Sequence, residues 1–206
     1  MNKGIRPIDV NHFYAVLVAL YREEDEWYIL LEKRASTIPQ PNEISFPGGK
    51  IEAGESPSQA AVRETAEELC IDQNQIEVYQ AMDYVLTPFN TCIYPIIGEV
   101  KVWPHSPSSD EVAEIVKVPL SYFENHLPEA YDGKLRMELA EGFPFDRIHG
   151  GENYNWKMGT YKILFYEYEG HSIWGITAKI IHHFIHHYKD DFMGHLKAID
   201  KQVKID

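Results

Sequence analysis

The sequence predicts an α/β domain in which a mixed β-sheet is flanked by helices. Three observations lead there. Apolar runs of strand length, rich in β-branched and aromatic residues, recur between residues 13 and 170. Residues 57–69 and 173–189 carry their apolar positions at helical spacing. The 206 residues hold no internal repeat, linker or low-complexity tract, so one domain over residues 1–206 with a substantial core is expected.

Taken in order, "FYAVLVALY" and "WYILLEKR" read as two strands of a hairpin joined by the charged turn "REED". The loop "ASTIPQPNEI" contains Pro39 and Pro41, which exclude a helix. "SFPGGKIEAGE" continues as a short strand and a glycine-punctuated turn. A helix then starts with Ser56 as N-cap, Pro57 at the first helical position and Gln59 completing a capping box. "IEVYQAMDYVLT", "TCIYPIIGEVKVW" and "EVAEIVKVPL" read as strands, and "PLSYFENHL" as a short helix. Residues 128–160 mix glycine, aromatics and charge without a period, as an insertion or a lid would. "YKILFYEYEG" is the last strand and "IWGITAKIIHHFIHHYK" the last helix.

Composition narrows the function. A formal charge of −13 argues against a nucleic-acid backbone as partner, since that binding needs a basic face. No apolar run approaches the roughly 20 residues that span a bilayer, and "AVLVALY" is too short for a signal-peptide core. Two cysteines, Cys70 and Cys92, make no disulfide framework, so a cytoplasmic home is expected. A phosphorylated small molecule fits if cations offset the field. The sequence leaves the oligomeric state open, a homodimer included.

The predicted helix concentrates charge. At about 100° per residue Glu64, Glu67 and Glu68 fall within roughly a third of its circumference, with Val62, Thr65, Ala66 and Leu69 on the other side. Each like-charge pair at these spacings costs a few tenths of a kcal/mol, and anions in the C-terminal half oppose the macrodipole. Mg²⁺ prefers carboxylate oxygens and would offset both penalties. From three glutamates alone, a solvated acidic face reads the same way. The flanks separate the two readings: Gly48 and Gly49 permit close backbone approach, and Arg63 stands one turn before Glu67, placed to hold it.

This stretch resembles the Nudix hydrolase signature: a Gly, a Glu six residues later, seven intervening residues, then Arg-Glu, an apolar residue, any residue, Glu-Glu, any residue, Gly and an apolar residue. Gly49, Glu55, Arg63, Glu64, Glu67, Glu68 and Ile71 match within residues 49–71. Thr65 stands where an apolar residue is usual and Cys70 where Gly is usual. The resemblance implies an α/β/α sandwich and hydrolysis of a nucleoside diphosphate linked to another moiety. It implies Glu64, Glu67 and Glu68 as Mg²⁺ or Mn²⁺ ligands, the Gly48 carbonyl as a further ligand, and Gly49, Glu55 and Arg63 as supports.

Upstream, "LLEKRASTIPQPNEISFPGG" resembles the segment preceding that signature in coenzyme A pyrophosphatases. Arg34 and Glu43 match, whereas Asn42 replaces a glycine; Asn is the residue after Gly that best tolerates positive φ. The later strands and final helix are similar too. This likeness implies cleavage of coenzyme A or its derivatives to adenosine 3′,5′-bisphosphate and 4′-phosphopantetheine. Glu64, Glu111 and Glu114 are candidates for the general base. Lys33, Arg34 and Lys50 are candidate phosphate contacts, with Glu43 a further candidate at the substrate.

Two alternatives remain in view: a broader nucleoside diphosphate hydrolase, for example on ADP-ribose, and a Nudix-fold binding module without turnover. Weaker signals are expected to be structural. His182 with His186 and His183 with His187 have metal-ligand spacing but no third ligand. Cys92 reads as core, and Phe143, Phe145, Tyr154 and Trp156 as aromatic core or loop anchors.

Overall fold

Strands β1 (His12–Glu23) and β2 (Glu26–Arg34) form the expected hairpin, pairing antiparallel from Ala19↔Leu30 to Glu23↔Glu26. The computed structural model describes residues 7–195. Toward their far ends the two strands separate, and residues 44–50 fill the gap. Within it β3 (Ile44–Ser45) pairs with Glu32–Lys33 of β2, and β4 (Gly48–Lys50) pairs with Tyr14–Val16 of β1. The glycine pair is thereby held inside the sheet, under the helix that follows.

That helix, α1 (Pro57–Leu69), carries the predicted capping box in full, Ser56 Oγ accepting from Gln59 N–H and Gln59 Oε1 from Ser56 N–H. The chain continues through β5 (Ile76–Ala81), β6 (Val85–Leu86), β7 (Thr91–Val100) and β8 (Val112–Pro119). β7 lies parallel to β1 and antiparallel to β5 and β6, while β8 runs antiparallel along β2. The sheet is therefore mixed, with a main order of β3-β2-β1-β7-β5. After α2 (Leu120–Asn125), the strands β9 (Glu129–Leu135), β10 (Gly159–Tyr168) and β11 (His171–Trp174) form a second, antiparallel sheet, and α3 (Gly175–His187) follows.

Strand alternation sends neighbouring side chains to opposite faces. Ala15, Leu17, Ala19, Leu30 and Ile96 pack against Ala60, Ala61, Ala66 and Leu69 of α1. Val18, Leu20, Ile29, Leu31, Ile97 and Val118 pack against Phe123 of α2 and Ala178, Ile181 and Phe184 of α3, joined by Leu164, Tyr166 and Ile173 of the second sheet. The result is the α/β/α sandwich with a mixed sheet.

Three expectations are corrected. Residues 128–160 are not one irregular insertion, because β9 pairs with β10 and only residues 136–158 form the loop between them. In that loop Phe143 meets Phe145 and Trp156, and Tyr154 meets Trp156, so the aromatics anchor it. The last helix starts two residues later than predicted, because Ile173 and Trp174 pair with β10 before Gly175 turns the chain at φ +65°. Finally, the acidic and core faces of α1 are not opposed. Glu68 is buried among Ala60, Ala61 and Leu69, whereas Val62 is only half-buried.

Candidate active site

The correction at Glu68 has a local cause. Gly48 has φ +145°, and a Cβ there would lie 2.4 Å from the Ala15 carbonyl oxygen. At Gly49 a Cβ would lie 2.4 Å from Glu64 Cδ. The missing side chain of Gly49 thus leaves room for the Glu64 carboxylate, while that of Gly48 lets β4 lie close against β1. Gly48 N–H donates to Glu68 Oε2 at 2.8 Å. Glu68 is only 6% exposed; burial, then the nearby charge of Glu32, pushes its carboxyl up to about 9. Burial also raises Glu64, against the lowering effect of Arg63.

Arg63 organises the outer side. Its Nε donates to Glu55 Oε1 at 2.9 Å and its Nη2 to Glu55 Oε2 at 3.1 Å and to the Lys50 carbonyl at 3.2 Å. Its Nη1 reaches Glu64 Oε1 at 3.0 Å and Glu67 Oε2 at 3.4 Å, the second being the predicted one-turn pair. The bidentate bond from Arg63 holds the Glu55 carboxyl below its usual range. Glu55 also accepts from Glu52 N–H at 3.0 Å, which fixes the turn ahead of the helix. Glu67 keeps its side chain 60% exposed and faces outward. Behind it, Cys70 closes the helix in the left-handed conformation, φ 51° and ψ 50°, taking up the geometry in which glycine is usual.

Among the candidate bases, the structure separates Glu111 from Glu114. The Ser108 N–H donates to the Glu68 carbonyl at 2.8 Å, and Val112 N–H to the Ser108 carbonyl at 2.8 Å, which ties the segment before β8 to the end of α1. The Glu111 charge acts on Glu32, Glu64 and Glu68 together. Glu114 instead faces His171 of the second sheet at 3.6 Å.

Of the candidate phosphate contacts, Arg34 stays near the carboxylates and Lys33 does not. Leu31 packs on the α3 side, so alternation turns Lys33 to that side and Glu32 toward α1. Arg34 closes the loop that follows it: Nε donates to the Pro39 carbonyl at 3.0 Å, its N–H to the Glu43 carbonyl, and its carbonyl accepts from Asn42 N–H. Asn42 has φ 64°, as expected of a glycine substitute. Half-buried Glu43 borders this loop, and Lys50 lies exposed at the end of β4. Thr37 Oγ1 and Ala35 N–H donate to the Asp110 and Glu111 carbonyls, drawing the loop against the Glu111 segment.

One residue was missed from the sequence. Glu32 is 1% exposed, and burial pushes its carboxyl up to about 8. Ser45 Oγ donates to its Oε1 at 3.2 Å, while Oε2 has no hydrogen-bond partner. The available signal was a lone glutamate directly after the apolar run "WYILL". His182 lies 3.4 Å from Tyr166 Oη, and His183 Nε2 lies 3.0 Å from Asp83 Oδ2.

Among the described residues, no three His, Cys, Asp or Glu side chains already converge as a metal cage. The donor chemistry nevertheless fits a hard divalent cation: carboxylate oxygens on Glu64, Glu67 and Glu68, and an orphaned buried oxygen on Glu32. No helix among the described residues is long and apolar enough to cross a membrane.

The chain is 25% identical over 177 residues to "Nudix hydrolase 22, chloroplastic" of Arabidopsis thaliana, covering 81% of this chain and 52% of that protein. It thus spans about half the length of that relative. Nudix hydrolase NudL of Enterobacter sp. (strain 638) is 30% identical over 170 residues, 81% of this chain and 78% of that one. The Mus musculus peroxisomal coenzyme A diphosphatase NUDT7 is 30% identical over 133 residues, 63% of this chain and 56% of that one. Among solved structures, the Nudix hydrolase RenU of M. smegmatis aligns with a TM-score of 0.48 and 23% identity, over 55% of this chain and 74% of that chain. The family model for the NUDIX domain matches residues 11–135, more than half of the chain, and the chain belongs to the Nudix hydrolase family.

Proposed function

We propose that the chain hydrolyses the pyrophosphate bond of coenzyme A or its derivatives, releasing adenosine 3′,5′-bisphosphate and 4′-phosphopantetheine. The observation that carries the chemistry is the seating of Glu64 and Glu68 against the Gly48-Gly49 strand beside Glu111. The substrate class is supported by the 30% identity to a coenzyme A diphosphatase and by the upstream loop, whose Asn42 adopts the backbone of the glycine it replaces.

Glu64, Glu67 and Glu68 would hold Mg²⁺ or Mn²⁺, with the Gly48 carbonyl as a further donor. When bound, such a cation neutralises charge on the phosphate oxygens and acidifies a water molecule. Gly48 N–H fixes the Glu68 carboxylate, and Arg63 fixes Glu64 and Glu55, so the carboxylates are oriented before substrate arrives. In this reading Glu64 serves as a metal ligand and Glu111 accepts the proton of the attacking water; Glu114 is turned to the second sheet. Arg34 meets the substrate phosphates with the guanidinium nitrogens not used on Pro39.

The test is incubation with coenzyme A, ADP-ribose and NADH in Mg²⁺ or Mn²⁺, with products resolved by mass. Formation of 4′-phosphopantetheine supports the proposal. Cleavage of ADP-ribose or NADH but not coenzyme A replaces it with the broader nucleoside diphosphate reading, and cleavage of none favours the binding module.

A further inference from the structure

Glu32 stands in the structure without a structural explanation. It sits in the buried middle of the sheet, on the α1 side shared with Leu30. An ionisable group taken from water without partners for all its oxygens is costly. Ser45 satisfies Oε1, and nothing satisfies Oε2. Arg34, a cation two positions on in the same strand, directs its Nε to Pro39. A residue needed only to fill this place would be apolar, as Leu30 and Leu31 are.

Its surroundings give the reason. Ser45, which holds Glu32, is three residues before Gly48, which holds Glu68. One short backbone segment therefore orients both buried carboxylates, each by a single hydrogen bond to one oxygen. The free oxygen of Glu32 belongs to a side chain that alternation with Leu30 and Leu31 places on the α1 side of the sheet, close enough to Glu68 for the two charges to act on one another.

We infer that Glu32 is a further metal-holding carboxylate of this site, presenting Oε2 from the sheet while Glu64, Glu67 and Glu68 present theirs from the helix. This inference rests on the metal-site reading above and extends the site from one element to two. Glu32 would add a buried donor from the sheet to those of the helix, whereas the Glu67 side chain is 60% exposed.

The experiment is a Mn²⁺ titration followed by electron paramagnetic resonance, on the full chain and on Glu32→Gln, Ser45→Ala and Glu64→Gln, with melting curves in metal-free buffer. Gln keeps the shape and the acceptor for Ser45 but loses the anionic oxygen. Glu32→Gln is expected to melt at or above the parent temperature without metal, and to bind Mn²⁺ on the order of 10–100-fold more weakly. Ser45→Ala is expected to weaken binding by a smaller factor. Parent-like Mn²⁺ affinity in Glu32→Gln overturns the inference while leaving the helix carboxylates intact as ligands. If Glu32→Gln does not fold, Ser45→Ala decides, and unchanged affinity there overturns it equally. A parent chain that binds no Mn²⁺ overturns both this inference and the metal-site reading.

Discussion

The Gly48 N–H donates to Glu68 Oε2 at 2.8 Å, so a backbone amide inside the sheet fixes a carboxylate carried by the helix above it. The neighbouring glycines do different jobs. At Gly48 a Cβ would meet backbone, 2.4 Å from Ala15 O and 2.6 Å from Val16 Cα, at a φ that side chains rarely adopt. At Gly49 it would meet only the Glu64 carboxylate. Gly48→Ala is expected to destabilise the fold by about 1–3 kcal/mol or more. Gly49→Ala is expected to melt close to the parent and to lose turnover, because Glu64 must move. Melting curves beside turnover rates check both.

The two candidate bases should part in the same way. Glu111→Gln is expected to lower turnover on the order of 100-fold, in the range of general-base catalysis. Glu114→Gln is expected to stay within about threefold of the parent, since its side chain meets His171 and not the helix carboxylates. Steady-state rates of the two variants on one substrate decide it.

Without metal, stability should fall with pH across a defined window. Burial holds the neighbouring carboxyls of Glu32 and Glu68 above the ordinary carboxylate range. The folded state therefore retains protons that the unfolded chain has released, and unfolding is favoured as pH rises from about 5 to 9. Divalent cations favour the ionised carboxylates, so saturating Mg²⁺ should flatten the slope. Melting temperatures with chelator and with Mg²⁺, between pH 5 and 9, test the sign.

Thr65 offers a test independent of the chemistry. It is fully buried on α1, with Oγ1 unpartnered, at a position where the family usually has an apolar residue. Thr65→Val removes a buried hydroxyl at nearly constant shape and is expected to be neutral or stabilising by up to about 1 kcal/mol. Ser56→Ala removes the N-cap of the same helix and is expected to cost about 1 kcal/mol. Chemical denaturation reads both.

What was legible in the sequence was mostly local. The Ser56-Pro57-Gln59 start, the Arg63–Glu67 pair and the left-handed Asn42 each depend on residues within a few positions of one another. The two-sided packing of the main sheet followed from strand and helix periods. Glu32 was not legible, because "LLEKR" does not say which of Glu32 and Lys33 faces α1; that follows from Leu30 and Leu31 packing on opposite faces of the sheet. The burial of Glu68 was not legible in the acidic face of the helix, because the Gly48 bond that holds it spans 20 residues. Strand β9 was missed because "EAYDGKL" is exposed on nearly every side chain and shows no alternation. Glu111 and Glu114 were told apart only by contacts with α1 and the second sheet.

The most direct test of the carboxylate site is product-resolved turnover of coenzyme A by the parent and Glu64→Gln, with and without Mg²⁺, at matched folded concentration. The expected result is metal-dependent release of 4′-phosphopantetheine by the parent and a loss on the order of 100-fold or more in Glu64→Gln, whose melting curve stays close to the parent's. Equal turnover by the two proteins, or parent turnover that persists in excess chelator, would contradict a metal-dependent reaction centred on these glutamates.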